Sequence, residues 1–500
     1  MNTTLIPDPL VRFLGKPRRE FTRSDIVRYV REQGIEMINL RYPGSDGRLK
    51  TLNFIINDQS YLESILTCGE RVDGSSLFPY IEAGSSDLYV VPRYRTAFRN
   101  PFSEIPAVDI LCSYYTKDGT PFEMAPEQTL RRAHEALRRV TGFDFHVMGE
   151  LEFYVVAPRE ELFPAVDQRG YHESTPFSKG ADFRARAMQY IAQAGGEIKY
   201  GHSEVGNFTQ DEWMYEQNEI EFLPTDLEAA ADQLLIAKWI IRTLAYEYGV
   251  SVTFAPKITV GKAGSGLHIH TRLMHDGRNA MVGADGRLSE NALKAIAGYL
   301  SLAPSLTAFG NTNPTSYFRL VPHQEAPTNI CWGDRNRSVL VRVPLGWSRG
   351  AGGMACDANP LEAPTDPDVD LKQTVEFRCP DGSADIYLLL AGLAVAARHG
   401  FEMENGLQYA RDRYVDVNIF DDKHREVLAR LSSLPASCEE SARCLEAHRT
   451  IYERHGVFAP GLIDGLVARL TAFHDANLRQ EIAGDQMRIK QLVDTYFHCG

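Results

Sequence analysis

FDFHVMGELEFYVV, residues 143–156, is the stretch on which the reading of this chain turns. Successive side chains of a β-strand point to opposite faces. Phe145, Val147, Leu151 and Phe153 therefore share one face, and His146, Glu150, Glu152 and Tyr154 the other. Two carboxylates point the same way from a strand whose back is apolar. Taken alone, the solvated face of an antiparallel sheet explains the pattern better than a functional site does. The rest of the chain decides between the two.

Further acids stand in similar settings. Glu204 in HSEVG and Glu219 in QNEIEF carry the same ambiguity. In AGSGLHIH, residues 263–270, glycines permit close backbone approach, and His268 and His270 share a face of the strand that follows. A lone His-x-His is more often structural. Glu376 in TVEFRCPD shifts the balance, because it adds a fifth strand-borne glutamate. Hard carboxylate oxygens with an imidazole suit Mg²⁺ or Mn²⁺ rather than a sulfur-seeking metal.

Between these acids lies a basic set: Arg319 in YFRLVPHQEAP, Arg335, Arg337 and Arg342 in DRNRSVLVRVP, and Arg378. Surface salt bridges are the ordinary alternative, and for Arg335 the two explanations weigh equally. Arginines that alternate with valine and leucine on strands are poorly placed for solvent and well placed for phosphate or carboxylate. Metal-holding acids beside phosphate-holding arginines are what phosphoryl transfer requires. The nucleotide would not sit on a Walker loop, since the run from Gly69 to Gly74 is followed by Ser75 where the lysine belongs.

Composition excludes several other classes. The chain has 500 residues, 44% hydrophobic and 24% charged, as in an ordinary globular protein of roughly two to four structural units. Its formal charge of -13 disfavours nucleic acid as a partner. The eight cysteines are scattered without a Cys-x-x-Cys pair, which fits reduced thiols in a cytoplasmic protein. The first residues do not form a signal peptide. The longest apolar run, Tyr387 to Ala397, is too short to span a bilayer and reads as a buried helix, so no membrane partner is expected.

The order of elements is also legible. Ser24 is expected to cap a helix over DIVRYVREQ that Gly34 stops, followed by strands EMINLRY and LKTLNFII around the turn GSDG. With a helix near 61–68 and strands near 88–91 and 108–115, residues 21–118 form a small α+β unit. A boundary is placed at Lys117-Asp118-Gly119, leaving 119–500 as a second domain. Residues 345–370, rich in Gly, Pro and Asp, read as a long loop. Helical periodicity dominates from about Asp385 onward.

VDGSS at 72–76, Glu150-x-Glu152, HSEV, QNEIEF, GSGLHIH, RLVPHQEAP, RNRSVLVRVP and VEFRCPD occur in the order found in glutamine synthetases, and the chain resembles that family from about residue 21 onward. The resemblance implies an α+β fold: an N-terminal β-grasp domain, then a catalytic domain with an antiparallel sheet and C-terminal helices. It implies an ATP-dependent ligase joining L-glutamate and ammonia through γ-glutamyl phosphate. The partners are then these small molecules and other copies of the chain, in stacked rings forming a dodecamer.

By position, Glu152, Glu204 and Glu219 match the ligands of one metal, and Glu150, His268 and Glu376 those of a nucleotide-side metal, Mg²⁺ or Mn²⁺. His270, Arg337 and Arg342 match ATP contacts, and Gly264, Arg319 and Arg378 match glutamate contacts. Glu325 falls on the loop that shields the intermediate. Asp73 and Ser76 from a neighbouring subunit, with Tyr171 and Glu204, match the ammonium pocket, and Asp73, Glu325 and Arg337 are the expected catalytic groups.

Several positions depart from the family pattern. Lys262-Ala263 stands where Asp-Asn is usual, Thr374 replaces an arginine, and extra residues occur near 206–215 and 345–373. Ala263 and the insertions are the support for a rival reading, a ligase joining glutamate to an organic amine. Asp73, Ser76 and Tyr171 oppose it, because an acidic, compact pocket suits ammonium. Phe420 stands where some bacterial members carry an adenylylated tyrosine; without a hydroxyl no such ester forms.

Overall fold

The computed structural model describes residues 4–81, 86–321, 326–346, 350–365 and 369–500. The chain is α+β, as expected, and is built on two sheets. The first has strands β1 (Met37–Pro43), β2 (Leu49–Ile55), β3 (Glu70–Asp73), β4 (Asp87–Pro92), β5 (Phe98–Arg99) and β6 (Ala107–Tyr115). Their order is β2-β1-β6-β4-β3, with β5 paired to β6 and only β1 and β6 parallel.

Two helices cover this sheet. Arg23–Glu32 buries Ile26, Tyr29 and Val30, the spacing of one helical face. Its cap is Thr22 rather than Ser24, because Thr22 and Asp25 form a reciprocal capping box. Gln59–Cys68, capped by Asp58, ends at Gly69. There φ is 65°, and a Cβ would lie 2.0 Å from the carbonyl oxygen of Val90, so only glycine serves. The hydrophobic core of this unit runs on to Phe122 and Ala125, just past the turn at Lys117–Gly119 where we propose that the domains divide.

The second sheet has ten strands: β7 (Asp144–Pro158), β8 (Ile198–Gln210), β9 (Trp213–Phe222), β10 (Thr225–Asp226), β11 (Ser251–Thr253), β12 (Leu267–His275), β13 (Arg278–Asn279), β14 (Trp332–Asp334), β15 (Val341–Val343) and β16 (Val375–Phe377). Its main path is β14-β15-β16-β12-β7-β9-β8. The pairs along it are antiparallel except β14 with β15. The extra residues near 206–215 lengthen the β8–β9 hairpin, where Phe208 and Tyr215 stack at 4.4 Å. The stretch 345–370 is not all loop, since it contains the helix Ala351–Ala358.

One face of this sheet is apolar. Leu151, Phe153, Ile220, Phe222, Leu267, Ile269 and Phe377 are fully buried in the core formed with helices Leu227–Tyr248, Glu290–Gly310 and Ile386–Glu402. Glu290–Gly310 is, among the described residues, the one helix long and apolar enough to cross a membrane, but 78% of its most apolar window is buried inside the protein. It crosses Ile386–Glu402 at a glycine contact: a Cβ on Gly298 would lie 1.8 Å from Ala396 O, and one on Gly400 1.8 Å from Lys294 O. Both obstacles are backbone. Gly298→Ala is therefore expected to destabilise the protein by about 1–3 kcal/mol or more, seen as a lower urea midpoint. An unchanged midpoint would show that the helices slide apart freely.

A buried cluster ties the two units together. Arg93 donates to both carboxylate oxygens of Asp232, at 2.9 and 2.8 Å, and to the hydroxyl of Tyr387 at 3.0 Å. This fixes the N-terminal sheet relative to two of the helices that back the second sheet.

Candidate active site

The other face of the second sheet is a lattice of charged side chains. Strand register places Glu150 beside His268 on β12 and Glu221 on β9. Glu152 stands beside Glu219, and Glu219 beside His202 on β8. Glu376 on β16 faces His270 on one side and Arg342 on the other. The alternation in β7 thus marks an acid-bearing wall rather than a solvated surface.

These groups line a cavity of about 500 Å³. It brings together the expected metal ligands Glu150, Glu152, Glu204, Glu219, His268 and Glu376. The expected ATP contacts His270, Arg337 and Arg342 also line it, as do the glutamate contacts Gly264, Arg319 and Arg378, and Tyr171. Asp73 and Ser76 are not among the lining residues: they lie exposed on the first domain, where Asp73 accepts from Ser76 Oγ at 2.7 Å. Glu325 lies outside the described residues.

Glu204 owes its position to a break in the β8–β9 ladder. Ser203 pairs with Asn218 and the next pair is Asn207 with Glu216. Glu204, Val205 and Gly206 therefore bulge opposite Gln217, and a bulge re-aims the side chain it carries.

Electrostatics divide the cavity into two ends. At one end His270 Nε2 stands 2.7 Å from Glu150 Oε1, and His268 Nδ1 2.9 Å from Glu150 Oε2. Burial acts to raise the pKa of Glu150, but His270 and His268 hold it well below the usual carboxylate range. Burial opposes Glu376 in the same way, and Arg378, donating from Nε at 3.0 Å, together with His270 and His268 more than offsets it. At the other end the Val205 N–H and Arg337 offset only part of the burial of Glu204. Burial, and then Glu152, push Glu204 up to about 7. Burial, and then Glu150, Glu152 and Glu204, push Glu219 well above the carboxylate range.

A set of hard oxygen donors whose charge the protein compensates only in part, Lys199 pairing with Glu221 at 2.6 Å, fits a divalent cation. Among the described residues, two groups place ligand atoms within 4.8 Å of one another: Glu150, His270 and Glu376, and His202, Glu219 and Glu221. They do not coincide with the expected triads. His270 takes the place of His268 in the first, and in the second His202 and Glu221 take the places of Glu152 and Glu204. For an anion, the fit lies in the arginines. Arg342 donates to Glu376 Oε2 at 2.9 Å while its buried Nε has no hydrogen-bond partner among the described residues.

Arg319 is 5% exposed and donates to Cys379 O at 2.8 Å, which locks it against the turn after β16. Thr374 Oγ1 meets His270 Nδ1 at 2.9 Å, so this departure from the family pattern sets the orientation of that imidazole. Ala263 donates its N–H to Gln168 Oε1 at 2.7 Å, and Lys262 pairs with Asp167. Phe420 packs against the small cluster of Cys331, Val339, Val415 and Ile419. Lys199, Tyr200, His202, Gln217 and Glu221 also line the cavity and escaped the sequence reading. Alternation was the available signal, since Gln217, Glu219 and Glu221 share a face of β9.

Comparison with known proteins agrees with this geometry. The family model described as glutamine synthetase, catalytic domain, matches residues 123–472, and that described as glutamine synthetase, beta-Grasp domain, matches residues 34–117. A glutamine synthetase of Clostridium saccharobutylicum is 32% identical over 408 residues, 80% of this chain and 84% of that protein. One of Thermus thermophilus is 31% identical over 448 residues, 87% of this chain and 92% of that protein. Among solved structures, the Plasmodium falciparum glutamine synthetase has a TM-score of 0.74 at 18% identity, covering 94% of this chain and 98% of that one. A structure titled apo GmaS without ligand has a TM-score of 0.73 at 20% identity, covering 93% and 99%. Both structural likenesses bear on the fold alone.

Proposed function

This chain belongs to the glutamine synthetase family, and from that membership we propose that it is an ATP-dependent ligase that joins L-glutamate and ammonia to give L-glutamine. The observation that carries the reading is one cavity in which an acidic end, compensated only in part, meets an arginine end with a buried unsatisfied N–H.

In this reading, Glu152, Glu204 and Glu219 hold one divalent cation, and Glu150, His268 and Glu376 a second. The register also puts His270 and Glu221 within reach. Bound there, Mg²⁺ or Mn²⁺ would neutralise phosphate charge and polarise the transferred group. His270, Arg337 and Arg342 bind ATP, with the arginines following the charge that develops on the γ-phosphoryl oxygens. Arg319, Gly264 and Arg378 orient glutamate so that a side-chain carboxylate oxygen attacks phosphorus and ADP leaves. Ammonia then displaces phosphate from the γ-glutamyl phosphate, with Glu325 excluding water. The acidic pocket of Tyr171 and Glu204, completed by Asp73 and Ser76 of a second copy, draws in ammonium and takes its proton.

The decisive test is phosphate release from ATP with glutamate plus ammonia, set beside glutamate plus a panel of small organic amines. Turnover with ammonia at least tenfold above any amine is expected. Preference for an amine would instead establish the related γ-glutamyl-amine ligase reading, to which Ala263 lends support.

A further inference from the structure

Gln217 is 1% exposed and stands alone opposite the bulge of Glu204, Val205 and Gly206. A bulge removes local ladder partners. The Gln217 side chain supplies one in their place, its Oε1 accepting from Gly206 N at 3.0 Å. Its Nε2 donates to Glu152 Oε2 at 3.0 Å and to Gly264 O at 2.9 Å. One N–H faces the oxygen and two acceptors face the nitrogen, so only one orientation of the amide satisfies every group.

We propose that Gln217 is a positioning residue whose single amide sets three parts of the site in register: the bulge bearing Glu204, the carboxylate of Glu152, and the loop at Gly264. The inference rests on the proposed reading of Glu152 and Glu204 as metal ligands and of Gly264 as a glutamate contact. The three partners come from different parts of the chain, and no other residue bonds all of them among the described hydrogen bonds. Gly206 leaves no slack, since a Cβ there would lie 2.0 Å from the Tyr154 hydroxyl and 2.5 Å from Gln217 Oε1. Tyr154 in turn donates to Ala263 O at 2.8 Å, next to Gly264. The hydrogen bonds that orient metal ligands typically matter ten- to hundredfold in metal affinity.

The test uses Gln217→Met, which keeps the length of the side chain and removes its donors and acceptor. Free Mn²⁺ measured by electron paramagnetic resonance should show affinity about ten- to hundredfold weaker. KM for glutamate should rise, and raising Mn²⁺ should recover part of kcat. Gln233→Met is the control: this buried glutamine accepts from Glu197 N at 2.9 Å away from the cavity, and its loss should lower Tm without moving Mn²⁺ affinity. If Gln217→Met does not fold, Gln217→Asn, one methylene short of its partners, should show the same losses in smaller measure. Wild-type Mn²⁺ affinity in the Gln217 variant, alongside weak binding by Glu152→Ala, would overturn the proposal. Wild-type affinity in both would defeat the metal reading beneath it, and the positioning role with it.

Discussion

Glu219→Ala is expected to lower turnover by more than about a hundredfold, beyond what loss of an outer partner of a metal ligand usually does, while leaving a folded protein that resists heat better above neutral pH in the absence of metal. Burial and four neighbouring glutamates raise the folded pKa of Glu219 well above its ordinary value. Glu204, for the same reasons, moves from 4.5 to about 7. The sign follows. A carboxyl whose folded value is raised holds its proton longer folded than unfolded, so stability is fully present below the unfolded value and is lost as pH rises through the folded one. The metal-free protein should therefore weaken between about pH 4.5 and 7 on account of Glu204, with Glu219 adding to the loss. Removing Glu219 deletes its own contribution and relieves Glu204. Calorimetry with chelator across this range should show the variant and wild type converging at acid pH and separating above it. Near-normal turnover would sink the metal assignment, and a gap independent of pH would sink the electrostatic one.

The second large effect is restoration of activity by mixing two dead proteins. Asp73 and Ser76 lie exposed on the first domain and do not line the cavity that holds Arg337. If a neighbouring copy supplies Asp73, each site takes one part from each of two chains, and a ring repeats that contact at every junction. Asp73→Ala and Arg337→Ala subunits should each be nearly inactive. Unfolded together in equal amounts and reassembled, random neighbours should restore about a quarter of the sites by combinatorics. Verified mixed oligomers that stay inactive would place Asp73 outside a shared site.

Much of the fold and most of the site could be read from local patterns. Alternation identified the acid-bearing face at Glu150 and Glu152 and the paired His268 and His270, because a strand's two-residue period is visible without knowing its partners. Partners are another matter. Nothing local sets Glu150 against His268 or Glu376 against His270, since those pairings join segments remote in the chain. The bulge at Glu204 was hidden for the same reason: residues 206–215 read as an insertion, whereas the extra residues extend a hairpin that bends before it. Thr22 rather than Ser24 caps its helix because Asp25 answers it, a reciprocal pattern that a single candidate cap does not reveal. Glu221 and Gln217 were within reach of alternation, but His202 gains meaning only from the pairing that sets it against Glu219.

The interleaving of β16, β12, β7 and β9 also bears on how the chain reaches its native state. Glu150, His270 and Glu376 meet only when strands far apart in sequence have docked, whereas His202, Glu219 and Glu221 already share the β8–β9 hairpin. During assembly these carboxylates repel one another, and closing the long loops between them is the slow, entropically costly step. A divalent cation that binds only after this step contributes nothing to the transition state for folding. It would act on the finished structure, slowing unfolding while leaving the folding rate nearly untouched. In the proposed reading, a cation held by Glu150, His270 and Glu376 would thus be a kinetic lock, closed from within after the fold is complete.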